Sequence, residues 1–115
     1  MHTVRIQIVR FTDAHFPGWV ECVLRDATDH EWTFVDKVPT FTGVSLNADS
    51  TYPQPGVVAC EIVRTWTDER GRTRCLIDTE RPWGISASRG ETQFEVFIEQ
   101  VTPHTRSPET GTQEG

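Results

Sequence analysis

The side chains able to do chemistry are three cysteines, four histidines, a scatter of carboxylates and a cluster of arginines. A hydrolytic nucleophile needs a serine or cysteine beside a histidine that an acid orients. The nearest approach to a G-x-S-x-G elbow, Gly84-Ile85-Ser86-Ala87-Ser88, lacks the second glycine. Cys22, Cys60 and Cys75 each fall inside an alternating apolar segment, where a thiol serves as a small buried hydrophobe. Their odd number and wide spacing suit neither a disulfide framework nor a C-x-x-C zinc site. No glycine-rich phosphate loop occurs, and His30-Glu31 runs on into Trp32-Thr33-Phe34 instead of completing H-E-x-x-H. The expectation is a chain with no catalytic residues, no metal ligand set and no cofactor.

Weaker groupings remain. Asp13-Ala14-His15 and Asp29-His30-Glu31 place imidazole beside carboxylate, a donor set that suits divalent cations and equally a solvated turn. Asp36 and Asp78 each end a return strand, where a barrel presents polar groups at its mouth. With Asp13 and His15 they define an alternative reading, a small-ligand or metal-binding barrel with enzymatic chemistry at that mouth. Arg64, Arg70, Arg72 and Arg74 gather on one hairpin, with Arg81 and Arg89 nearby. Guanidinium groups grip phosphate or carboxylate, but Asp68 and Glu69 share the turn and offset part of that charge. Glu21, Glu61, Glu95 and Glu99 read as solvating groups on outward strand positions.

The aromatic residues carry the stronger signal. Trp19 and Phe97 fall out of phase with their apolar neighbours and so point outward, while Trp83 and Tyr52 sit in connections. Exposed aromatics mark contact surfaces more than single aliphatics do. Trp83, Tyr52, Trp19 and Phe97 are therefore the expected binding residues, and the leading expectation is a small non-catalytic binding or protein-interaction module.

The elements that must position these groups follow from apolar residues recurring every second position. Val4, Ile6 and Ile8 share a face in Thr3–Phe11, and a phase slip at Val9-Arg10-Phe11 predicts a bulge that turns Val9 and Phe11 inward. Val20, Cys22 and Leu24 face one way in Trp19–Asp26, and Trp32 and Phe34 answer them in Glu31–Val38. Val58, Cys60 and Ile62 lead a second hairpin through Asp68-Glu69-Arg70-Gly71 to Thr73, Cys75 and Ile77. Phe94, Val96 and Ile98 line the last strand, Phe94–Val101. Between the hairpins, Pro39–Pro55 is a long polar connection with Phe41, Val44, Leu46 and Tyr52 to fasten it; Arg81–Gln93 is a second long loop. No apolar period of 3.6 persists over a helix's length. The predicted fold is all-β, a six-stranded antiparallel barrel over residues 1–102, with an open β-sandwich as the alternative. The windows Pro17–Leu24 and Pro55–Ile62 share Pro, Gly, Val and Cys at matching offsets, which raises a duplicated hairpin.

Composition bounds the partners. The net charge is −6. Residues 103–115, poor in apolar side chains, read as a disordered acidic tail. An acidic body disfavours nucleic acid and anionic membrane. No run reaches the roughly 20 apolar residues of a membrane span, and the amino-terminal residues lack the pattern of a secretory signal, so the expected location is cytoplasmic. Self-association through an edge strand, Thr3–Phe11 or Phe94–Val101, would give a homo-oligomer.

Overall fold

The computed structural model describes residues 1–103. The chain forms strands β1 (His2–Asp13), β2 (Trp19–Arg25) and β3 (Glu31–Lys37), one helical turn α1 (Val38–Phe41), then β4 (Gln54–Thr67), β5 (Thr73–Asp78), β6 (Gln93–Phe97) and β7 (Val101–Pro103). Six strands lie in the order β3-β2-β1-β4-β5-β6, each pair antiparallel, and β7 joins β1, also antiparallel. The sheet curls into a half-barrel, so the fold is a small all-β barrel-like one.

Alternation sets what the curl encloses. Val4, Ile6, Ile8, Val20, Cys22, Leu24, Phe34, Val58, Cys60, Cys75, Ile77, Phe94 and Val96 all face one buried core. Edge strands β3 and β6 meet across the core by side chains, with Phe94 packed against Trp32 and Phe34 at ring distances of 5.3 and 5.6 Å. Two backbone bonds cross the same seam: the Ala27 N–H donates to Glu95 O (2.8 Å) and the Ser88 N–H to Thr33 O (2.7 Å).

The bulge in β1 falls between Ile8 and Arg10, as the phase slip predicts. It restores Phe11 to the inward phase opposite Val20, while Arg10 points outward to Glu21 at 2.6 Å. Val9 is the inserted residue and stays half-buried outside the core cluster, contrary to the expectation for it.

Three further expectations change. Phe94–Val101 is not one strand: a 3₁₀ turn at Ile98–Gln100 divides it. The Gln100 side chain is the cause, since its Oε1 accepts the Phe97 N–H (2.9 Å) while its Nε2 donates to Arg25 O (2.9 Å). The chain thereby leaves β5 and crosses to β1, where Val101–Pro103 pair with Val4–His2. Secondly, β1 is central in the sheet, with β4 on one edge and β7 and β2 on the other, so Thr3–Phe11 is not an edge strand of the sheet. Thirdly, Val44 does not fasten the long connection; it is 56% exposed, whereas Phe41 and Leu46 enter the core and Tyr52 packs beside it.

Cys22 and Cys60 both face the core, but their strands are used differently. Cys22 lies in the β2–β3 hairpin opposite Phe34, whereas Cys60 pairs with His2 of β1, and β4 turns to β5 only from Glu61 onward. Pro103 closes β7; the rest of the expected tail, 104–115, lies outside the described residues.

Asp26 closes the β2–β3 turn. Its Oδ1 accepts the Thr28 N–H, the Thr28 hydroxyl and the His30 N–H at 2.8–2.9 Å, and its Oδ2 accepts the Trp32 indole N–H at 2.8 Å. Desolvation opposes the charged carboxylate, but these donors outweigh it and hold the acid below its ordinary range. A carboxyl group so depressed adds stability that is complete above its unfolded value near ~4 and is lost as pH falls through the folded one. Thermal melting should hold level from neutral pH to about pH 5 and drop below about pH 4. Asp26→Asn should lower the neutral-pH melting temperature, by about 1–2 kcal/mol of stability, and shrink the acid-limb drop.

Candidate functional site

The site is built on the loop between β5 and β6. Thr79, fully buried, is its anchor. Its N–H donates to Thr92 O (2.7 Å), its carbonyl accepts the Ile85 N–H (3.0 Å), and its hydroxyl donates to Ile85 O (2.5 Å). Ile85, a partner in this knot, and Ala87 just after it pack into the core. A tight turn between Thr79 and Ile85, closed by the Gly84 N–H on Glu80 O (2.7 Å), lifts Trp83 out of the core. Gly84 has φ +66°, a left-handed conformation that suits glycine.

Trp83 is 57% exposed and stands between two concavities. On one side lies an apolar groove of about 360 Å³. Its floor is the outer face of β1 and β4, namely Thr3, Val57 and Ala59, and its wall is α1 with Pro39 and Phe41. Ala59 is out of phase with the core yet only 2% exposed, which shows how closely the wall covers that floor. On the other side lies a polar pocket of about 440 Å³, lined by Asp36, Lys37, Thr40 and Ile85. The Lys37 ammonium sits 3.9 Å from Asp36 Oδ1 and 5.0 Å from the Trp19 ring centre.

Of the four expected binding aromatics, this arrangement relates two. Trp83 and Trp19 are linked through Lys37, which lines the polar pocket and covers Trp19. Tyr52 is turned to its own connection, donating its hydroxyl hydrogen to Asn47 O (2.7 Å). Phe97 lies on the outer face of β6 beneath the Arg72 and Arg74 guanidiniums, at 3.4 and 5.3 Å. Those arginines are spoken for: Arg72 pairs with Glu99 (2.6 Å), and Arg74 with Asp68 and Glu95 (2.8 Å each).

The alternative set is dispersed. Asp13 and His15 meet at 2.6 Å on the exposed β1–β2 turn, where the hydrogen bond to Asp13 raises the imidazole's basicity. Asp36 lines the polar pocket beside Trp83. Asp78 accepts the Glu80 N–H and a bond from Gln93, and no hydrogen bond or ion pair joins it to the other three. Among the described residues, no group of three or more His, Cys, Asp or Glu is arranged to hold a metal ion.

Sequence reasoning passed over Phe16, which is 97% exposed at the tip of the β1–β2 turn; the only signal was its place before Pro17 in a turn. It also passed over Thr3, Val57, Ala59 and Phe41 as one surface, because their proximity depends on the β1–β4 register and the path of α1.

All three thiols are free and buried. Burial, then the Glu21 and Asp36 charges, pushes Cys22 up to about 12; burial, with Cys75 beside it, pushes Cys60 to about 12 as well. A thiol-specific disulfide reagent at pH 8 should label none of them in the folded protein and all three in denaturant. Rapid native labelling would contradict the inward placement. Thr79→Val should release the Trp83 turn at a cost of about 1–3 kcal/mol, read as a lower melting temperature and faster amide exchange at Gly84 and Ile85.

Comparisons with protein families, with curated proteins and with solved structures gave no match to this chain.

Proposed function

We propose that the chain is a non-catalytic binding module that takes an apolar side chain of a protein partner into the groove beside Trp83. The observation that carries this reading is a large exposed indole held out by a buried hydrogen-bonded knot, next to an apolar concavity with a rigid strand floor. Tryptophan in such a setting supplies large contact area at small entropic cost and is enriched among residues that dominate binding energy. The groove's volume lies at the small end of ligand sites, suited to one or two side chains more than to a whole cofactor. Lys37, beyond the indole, adds a cation that favours a partner with a carboxylate next to its apolar anchor. The inert, buried thiols support a binding role over nucleophilic chemistry and suit a reducing, cytoplasmic compartment. No helix among the described residues is long and apolar enough to cross a membrane.

The experiment is affinity capture from native lysate with wild type, Trp83→Ala, Val57→Asp and, as control, Phe97→Ala. A specific partner should be retained by wild type and Phe97→Ala and lost with both groove variants, Trp83→Ala weakening it by about 2 kcal/mol or more. A partner retained equally by all four proteins would refute the groove as the binding surface.

A further inference from the structure

Strand β4 is longer than its ladders. Gln54–Cys60 pair with β1 on one edge, and Glu61–Thr67 pair with β5 on the other. The β1 ladder starts with His2 opposite Cys60. Beyond that point, among the described residues, no strand and no backbone hydrogen bond reaches the edge of Glu61–Thr67 on the β1 side. This is an open edge of seven residues, about 23 Å long, in a segment rich in β-branched and aromatic side chains, Glu-Ile-Val-Arg-Thr-Trp-Thr. The register shift between Ile62 and Arg64 leaves Val63 outside the β5 pairing and 51% exposed.

The chemistry at this edge selects an occupant. Arg64 lies over the Trp66 ring at 4.4 Å and has no carboxylate partner among the described residues. A second copy of the chain fits poorly. The longest antiparallel self-pairing that stays clear of β1 sets Glu61 opposite Thr67, and so Arg64 opposite its own copy. Like charges directly opposite destabilise a strand pair. A strand bearing a carboxylate at that position gains where self-pairing loses.

We propose that the open edge of β4 at Glu61–Thr67 accepts an extended segment of another protein as an added antiparallel strand, with an acidic side chain opposite Arg64. Main-chain hydrogen bonds supply affinity, and Val63 and Arg64 supply selection, as in other strand additions. This surface is separate from the groove at Trp83.

The test uses the full chain and two blocked nine-residue peptides, one alternating valine with glutamate and one alternating valine with lysine. Amide exchange is followed residue by residue. In the free protein, outward amides of 61–67 should exchange quickly. The glutamate peptide should slow them about tenfold or more and the lysine peptide should not, because the opposed charge decides cross-strand pairing. Arg64→Glu should reverse the preference, Arg64→Ala should abolish it, and Trp83→Ala should leave it unchanged. Exchange already slow without peptide would mean that residues 104–115 or a second copy cover the edge, and would overturn the proposal. So would equal binding of both peptides by wild type, or no slowing at millimolar peptide.

Discussion

The structure depends on β1 lying at the centre of the sheet, between β2 and β4. Its first half lies between β4 and β7, and its second half lies against β2. Val4 is shared by the β4 and β7 ladders and Ile8 by the β4 and β2 ladders, while Ile6 joins β4, and these three residues become the line from which the rest of the core is built. Gly56 shows how tight the constraint is. It faces Ile6 across the β1–β4 ladder, and a Cβ there would meet Ile6 and Ile8 Cδ1 at 3.0 Å. The isoleucines occupy the volume that a side chain at position 56 would need, so the register is fixed by packing as well as by hydrogen bonds.

A sheet pinned at its centre still has to curl, and polar side chains at its corners direct that. Gln100 stops the β6 ladder and ties the corner to Arg25, so the chain turns toward β1. Asp26 gathers four donors from its own hairpin and directs Trp32 onto Phe94. Thr79 does the same for the β5–β6 loop. Each of these residues satisfies backbone or indole groups that the curl would otherwise leave unpaired, which is costly in a partly buried setting. The apolar pattern decides which faces meet; these three side chains decide how the strand ends approach.

That division explains what could be read from the sequence. Period-two burial located the first five strands, the inward cysteines and the β1 bulge, because those depend on local alternation alone. It also singled out Trp83, an aromatic in a loop between apolar runs. Three features were hidden for three physical reasons. The break at Ile98–Gln100 lies in an apolar run, and only the side-chain bonds of Gln100 interrupt it. The central place of β1 depends on its pairing with β4, between residues more than fifty apart in sequence at its start, such as His2 with Cys60. The groove joins Thr3, Phe41, Ala59 and Trp83 from four segments, so no spacing in the chain announces it.

The same pinning accounts for where exposed surface remains. Because β4 is longer than the part of it that β1 covers, the excess has no strand partner on one edge among the described residues, while its other edge carries β5. Because Thr79 and Ile85 are both held inward but the turn between them cannot follow, Trp83 is carried outward over the β1–β4 face. Natural sheets usually blunt such an edge with lysine, proline or a covering segment. Here, among the described residues, the edge carries Val63 and an unpaired arginine. An added strand of the kind proposed for this edge would cover the valine and set a carboxylate against the arginine.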